Sequence, residues 1–309
     1  LRDEAGHVAG IVEEAQATPA QLALRELNIG AYCFEAEWLW KTLPQLPLTP
    51  NGEYYLTDIV GLAVAQGLPV ASAAVDDPDE IIGVNTRVHL AELETALRRR
   101  INRNWMENGV TLIDPAATYI APAATIGRDT TLLPNTHLEG STTVGENCVI
   151  GPNTIIRDTT IGNHCEIECS VLEGAVVEDE VEIGPFAHLR TGAHLARGAH
   201  MGNFGEVKNS YLGPGVKIGH FSYIGDATLG AEVNVGAGTI TCNFDGVRKN
   251  RTEIGAGAFI GSDTMLVAPV RLGANSRTGA GSVVTRDVPE DSLAVGVPAR
   301  VIRRGLKGT

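Results

Sequence analysis

Positive charge is in short supply in this chain of 309 residues: 24 Lys and Arg stand against 37 Asp and Glu, for a net charge of −13. A nucleic-acid binder carries a basic excess to meet the phosphates, so that class is set aside. Long apolar runs are missing too. None approaches the roughly 20 residues that span a bilayer, so no membrane partner is expected. Cysteine is sparse and odd in number, with Cys33, Cys148, Cys165, Cys169 and Cys242 at no framework spacing. That excludes a disulfide scaffold and points to a reducing, cytoplasmic setting. Aromatics make up only 5% of the chain. The first residues, LRDEAGHVAG, lack Met and hold no charged segment followed by an apolar one. They read as the middle of a strand, and the chain is expected to be a fragment. What remains is ordinary for a soluble globular protein, 43% hydrophobic and 20% charged, with length enough for two domains.

The chain divides by pattern. In residues 1–87, VAGIVEE reads as a strand and YYLTDIVGLAVAQGLPVASAAV as helix, turn and strand, the tail of an α/β domain. Residues 88–109 carry apolar positions at helical spacing, without Gly or Pro before Gly109, and form a connecting helix. Its Arg98, Arg99 and Arg100 read as a solvated face. From 110 to 309 the period changes. Ile120, Ile126, Leu132, Leu138, Val144, Ile150 and Ile156 recur every six residues, as do Ile183, Leu189, Leu195, Met201 and Val207, then Ile218 and Ile224, and later Ile254, Ile260, Leu266 and Leu272. A six-residue period fits one short strand plus one turn, and three such units close a triangular coil. About 170 residues at roughly 18 per coil give nine or ten coils. The pattern resembles the left-handed parallel β-helix of hexapeptide acyltransferases, so the fold is expected to be mainly β; the left hand is what that resemblance implies.

In such a prism residues six apart fall on different faces, and residues about 18 apart stack in one column, about 4.8 Å from coil to coil. His188, His194 and His200 are therefore expected on three faces and not around one metal. HCEIEC, residues 164–169, offers soft ligands but no second pair. Arg190 and Lys208 are different: each follows an inward aliphatic and they belong in one column. Two like charges stacked this closely repel. Either an anion such as a phosphate lies between them, or both splay into solvent. His220 follows within one further coil, with Tyr223 beside it, and an imidazole there suits proton removal. The hexads then break at TITCNFDGVRKNRTEIG, residues 239–255, where NFDGVRKN must loop out of the prism. Loops on a rigid scaffold are where sites are commonly built.

The stretch GNFGEVKNSYLGPGVKIGHFSYIGDATLGAEVNVGAGTITCNFDGVRKNRT, with GPFAHLRTGAHL before it and GSDTMLVAPVRLG after it, resembles the bifunctional N-acetylglucosamine-1-phosphate uridylyltransferase/glucosamine-1-phosphate acetyltransferase family. The resemblance implies a homotrimer whose β-helix moves acetyl from acetyl-CoA to the amine of glucosamine 1-phosphate, a step towards UDP-N-acetylglucosamine and the cell envelope. It implies His220 as catalytic base, Arg190 and Lys208 as sugar-phosphate contacts, and Tyr223 and Asn234 as sugar contacts. Lys249 becomes a loop lysine near the substrate. Ala237, Asn243, Phe244, Ser262 and Ala280 fall where acetyl-CoA is held. In the first part it implies Glu13, Asn28 and Asn85 as UDP-sugar contacts, with Asn85 also a Mg2+ ligand for uridylyl transfer. Nothing here resembles the family's Gly-rich nucleotide loop or the Asp that shares its metal, so the uridylyl half is expected to be incomplete. Phe244 stands where Tyr is common. The ending LAVGVPARVIRR departs from the family's usual tail: Val297 falls near a basic coenzyme-A contact, a role then open to Arg300, Arg303 or Arg304. Rival readings remain: a related sugar acyltransferase with another acceptor, a sugar nucleotidylyltransferase whose β-helix is structural, a plain scaffold, and a hexapeptide metalloenzyme.

Overall fold

The computed structural model describes residues 1–50 and 52–306; residues 307–309, the end of the expected β-helix domain, lie outside them. Two units separate, residues 1–94 and 95–309, and a single helix, Arg87–Glu107, runs across the boundary.

In the second unit the hexads build three sheets whose strands pair in parallel, save the last strand of the first. Among the described residues they hold 12, 10 and 9 strands, and successive strands pass from the first face to the second to the third. The first face begins at Thr111–Leu112, the second at Thr118–Ile120 and the third at Thr125–Ile126. The inward aliphatic of each hexad is sealed in the prism: Leu132, Leu138, Ile150, Ile156, Leu189, Val207 and Ile224 are all fully buried. Two residues earlier in the hexad stands a small inward group such as Thr136, Thr154, Ser170 or Ala187. Side chains alternate across a strand, so the residue between them points out. Corners are tight. A Cβ on Gly145 would lie 2.5 Å from the Gly162 carbonyl oxygen of the next coil, which is why a residue without one stands there. Other corners use Asn or Asp at positive φ, among them Asn135, Asn147 and Asp226. The last strand of the first face, Ser292–Gly296, is followed by Ala299–Arg304 in an antiparallel hairpin.

The C-terminal half of the helix belongs to this unit. Ile101 and Trp105 pack on its core, and buried Asn102 donates from Nδ2 to the carbonyls of Pro115 (2.8 Å) and Thr118 (2.9 Å). The basic run is not simply a solvated face, because Arg98 lies 4.7 Å over the Tyr119 ring.

The first unit is helical and loop-rich, with helices Pro19–Leu22, Ala36–Thr42 and Asp58–Ala65. Leu46, Ile59 and Val60 form a small core with Tyr32, Phe34 and Trp38 packed against it. The two strands expected from VAGIVEE and from the end of the 54–75 segment do not form. Both stretches lack a ladder, apart from an isolated bridge between Arg2 and Val8. A strand persists only where a neighbour takes its N–H and C=O groups, and none does so here among the described residues. No helix of the described residues is long and apolar enough to cross a membrane.

Candidate functional site on the second face

Strand register fixes the site. Leu189 pairs with Val207 and Val207 with Ile224, which puts Arg190, Lys208 and Gly225 in one column at the corner that follows the second face. The same column begins upstream with Glu139, Arg157 and Glu173. It is a charge ladder. Arg157 bonds both Glu139 and Glu173, the latter at 2.9 Å. Arg190 Nη1 donates to Glu206 Oε1 at 2.8 Å, and that hydrogen bond, ahead of the simple charge attraction, raises the guanidinium pKa further. Among the described residues Lys208 makes no ion pair or side-chain hydrogen bond. Sequence spacing found the two stacked cations but not Glu206, which stands on the outward position of the Lys208 strand, diagonal to Arg190. The two long side chains therefore do not share one fate: one is tied, the other open.

Tyr223 points out of the second face one coil on, beside Glu206. Its hydroxyl accepts from Asn243 Nδ2 at 3.3 Å. Asn243 also donates to Asp226 Oδ2 at 2.6 Å, and Asn209 Nδ2 donates to Asp226 Oδ1. Gly225 is required between them, because a Cβ there would lie 2.3 Å from the Tyr223 oxygen and 2.6 Å from Asn243 Nδ2. Asn243 is buried, 5% exposed, at the mouth of the extruded loop, where its carbonyl accepts from the Asn250 N–H at 2.7 Å. Neither Asp226 nor Asn209 was singled out from sequence; the 17-residue step from Asn209 to Asp226 to Asn243 is the signal that carries them.

The loop braces itself. Phe244 and Lys249 bridge across it, with the Lys249 ammonium 4.9 Å over the exposed Phe244 ring. Asp245 accepts from the N–H groups of Val247 and Arg248 and from Asn250 Nδ2, each at 2.8 Å. These bonds, with that from Arg248 N–H the largest, hold its carboxyl down at about 2.

His220 occupies the other edge of the second face, at the corner that precedes it. It is exposed, and its ring has no hydrogen-bond partner among the described residues. Lys217 pairs with Asn234, Asn234 with Phe259 and Phe259 with Arg277. Three residues further on, that register stacks His220, Ala237, Ser262 and Ala280 in one column. Corner hydrogen bonds from Asp263 N–H to the Ala237 carbonyl and from Gly281 N–H to the Ser262 carbonyl agree. Small residues thus stand at three successive coils, about 14 Å, beyond the imidazole. Asn234 lies on the first face, three residues before this corner. The chain thus sets the candidate base and the candidate phosphate clamp on opposite edges of one face, with Tyr223 between them; His220 is at most about 17 Å along the backbone from Gly225, the rung of the clamp column one coil from Lys208.

His188, His194 and His200 fall on three different faces, as their spacing predicts, and each meets a glutamate: Glu173, Glu178 and Glu182 respectively. Cys165 is buried and Cys169 half-buried, and no cluster of three His, Cys, Asp or Glu fit for a metal occurs among the described residues. Val297 caps the terminal hairpin, 72% exposed, with Arg300, Arg303 and Arg304 on the return strand.

In the first unit Glu13 Oε1 accepts from the Thr57 hydroxyl at 2.7 Å. Asn28 Nδ2 donates to the Tyr32 hydroxyl at 2.7 Å, and Asn85 N–H meets His89 Nδ1 at 3.3 Å. One neutral amide oxygen does not hold Mg2+, which takes carboxylates and phosphates. The magnesium implied for Asn85 has no ligand set among the described residues.

Comparison with known proteins bears on the whole of this surface. Residues 123–158 and 251–286 match the family model of the bacterial transferase hexapeptide (six repeats), and residues 141–184 that of the hexapeptide repeat of succinyl-transferase. A curated relative, the bifunctional protein GlmU of Heliobacterium modesticaldum, is 49% identical over 296 residues, 96% of this chain and 65% of its own length. Another, from Geotalea uraniireducens, is 47% identical over 309 residues, 99% of this chain and 68% of its own length. The chain thus spans about two thirds of the length of the curated relatives it matches. Among solved structures, the UDP-N-acetylglucosamine acyltransferase of Francisella novicida is 18% identical, covering 62% of this chain and 68% of that one, with a TM-score of 0.42.

Proposed function

The chain belongs to the GlmU family of bifunctional proteins, and on that premise we propose that its left-handed β-helix transfers acetyl from acetyl-CoA to the amine of glucosamine 1-phosphate. The observation that carries this reading is Lys208, which makes no ion pair or side-chain hydrogen bond among the described residues in a ladder where Arg157 and Arg190 are paired, across one face from an exposed imidazole. A phosphate monoester fits the Lys208 ammonium, with Arg190 held beside it by Glu206. The sugar then lies over Tyr223, and its amine points to His220.

His220 takes the proton from the attacking amine, the role for which an imidazole suits neutral pH. Clamping the phosphate orients the amine towards the thioester and turns an encounter between two reactants into a local event. The small-residue column of Ala237, Ser262 and Ala280 offers the coenzyme arm a path that ends at the imidazole, while Asn243 and Phe244 flank the loop mouth. Lys249 stands near the sugar, and Arg300, Arg303 or Arg304 supplies positive charge for the coenzyme phosphates. The sugar contacts expected of Tyr223 and Asn234 lie on two faces of one chain, so a neighbouring copy is needed to gather them, and a homotrimer is part of the proposal. Phe186 and Phe204, stacked at 5.3 Å, and exposed Phe221 line the corner that holds His220; they are the apolar surface such a copy would bury. The five thiols are free, which fits a cytoplasmic enzyme. Glu13, Asn28 and Asn85 remain the proposed UDP-sugar contacts of the first unit.

The test is release of free thiol from acetyl-CoA with a panel of amino sugars and their 1-phosphates. Glucosamine 1-phosphate should be the best acceptor. A preference for another acceptor would assign the chain to a sister activity, and no release with any would remove the proposal.

A further inference from the structure

We infer that Asp226 is a positioning residue that sets the polarity of the Tyr223 hydroxyl, acting through Asn243. The inference rests on the reading that a sugar phosphate lies over Tyr223 beside Lys208.

An ionised carboxylate accepts hydrogen bonds and cannot donate them. Asp226 uses both of its oxygens: Oδ1 receives the Asn209 amide, and Oδ2 lies 2.6 Å from the Asn243 side chain. The atom of Asn243 that faces Asp226 must therefore be the NH2 group, which fixes an amide whose two ends would otherwise be interchangeable. That NH2 has two hydrogens. One goes to Asp226, and the other is aimed at the Tyr223 oxygen, 3.3 Å away. The Tyr223 oxygen is thereby an acceptor on its inner side, and its own proton is left for a ligand over the second face. A phosphate-ester oxygen, acceptor only, is what such a donor recognises. Asn243 is buried, and the missing side chain at Gly225 is what lets the phenol oxygen come within reach of it.

The sign of the chain matters more than its existence. Asp226→Asn keeps size and shape but has one acceptor oxygen where the carboxylate has two, so it no longer fixes the Asn243 amide. With the new NH2 towards Asn243, that amide turns over to present Oδ1, the Tyr223 hydroxyl donates inward to that oxygen, and its lone pairs face the phosphate.

The experiment is calorimetric binding of glucosamine 1-phosphate to the full chain and to Asp226→Asn, Tyr223→Phe and the double variant. Asp226→Asn should weaken glucosamine 1-phosphate roughly 10- to 100-fold, the range for a lost hydrogen bond to a charged group. In the Tyr223→Phe background the same substitution should weaken it no further, because the hydroxyl whose polarity it sets is gone. A merely structural Asp226 would weaken binding equally in both backgrounds, and that result overturns the inference, as does wild-type affinity in Asp226→Asn. If the wild-type chain binds the sugar phosphate yet releases no thiol from acetyl-CoA, the catalytic proposal falls and the polarity of Tyr223 still stands or falls on the binding cycle. Failure of the wild-type chain to bind glucosamine 1-phosphate at all overturns the inference.

Discussion

The Tyr223 hydroxyl fills the space that a side chain at Gly225 would take: a Cβ there would lie 2.3 Å from the phenol oxygen. Gly225 is thus not a spare corner of the repeat but the seat of an aromatic ring. Gly225→Ala should displace the ring and raise the KM for glucosamine 1-phosphate, with the fold retained. Misplacement of a positioning group by about 1 Å can cost roughly a hundredfold in rate. Steady-state kinetics beside a thermal melt would check it; an unchanged KM would detach Tyr223 from the substrate.

His220→Ala should lower kcat by roughly 10²–10⁴, the usual share of a general base. The exposed ring makes no hydrogen bond or ion pair among the described residues, so the melting temperature should not move. Turnover near that of the wild type would end its assignment as the base.

The ladder gives its two cations unequal parts. Lys208→Ala should raise the KM for glucosamine 1-phosphate roughly 10- to 100-fold, as expected for a lost charged contact, and leave that for acetyl-CoA unchanged. Arg190→Ala should do the same and also release Glu206, so Glu206→Gln should mimic part of its effect. Unphosphorylated glucosamine should be a poor acceptor that none of these changes affects. If the wild type uses glucosamine and its phosphate equally, the column has no part in recognition.

Cys242 continues the Arg190–Lys208–Gly225 column at the loop mouth, where a thiol near a thioester invites an acetyl-enzyme route. Burial pushes its pKa up, away from the reactive thiolate. Cys242→Ser and Cys242→Ala should keep most activity, and initial-rate plots should intersect. Parallel plots, with acetyl found on Cys242 by mass spectrometry, would reverse this.

Asp245 gives the loop a pH signature. Its folded carboxyl is lowered from 3.8 to about 2, so the brace is fully present above pH 3.8 and is lost as pH falls through about 2. Asp245→Ala should loosen the loop at neutral pH and raise the KM for acetyl-CoA. Amide exchange of Val247 and Arg248 reads the same event without catalysis, and unchanged protection in the variant would count against the brace.

The prism could be read from sequence because its rule is one-dimensional: an inward aliphatic every six residues fixes face and coil, and even the scatter of three histidines over three faces follows from it. Arg190 and Lys208 came from the same arithmetic. Glu206 and Asp226 did not, because each acts along a diagonal or through an amide, and periodicity reports columns and not the reach of side chains. The first unit failed differently. VAGIVEE has strand composition, but a strand exists only beside another, and composition cannot say whether that neighbour is present.

The antiparallel hairpin that closes the first face has a consequence for length. A coil that hydrogen-bonds to the coil before it offers the same unpaired groups to whatever comes next, so stacking of this kind has no natural end, and an open rim would seed polymers. By turning Ala299–Arg304 back against Ser292–Gly296, the chain ends the first sheet in a strand of reversed direction that carries three arginines outward. Another parallel rung on that sheet would meet there the wrong register of donors and a row of like charges.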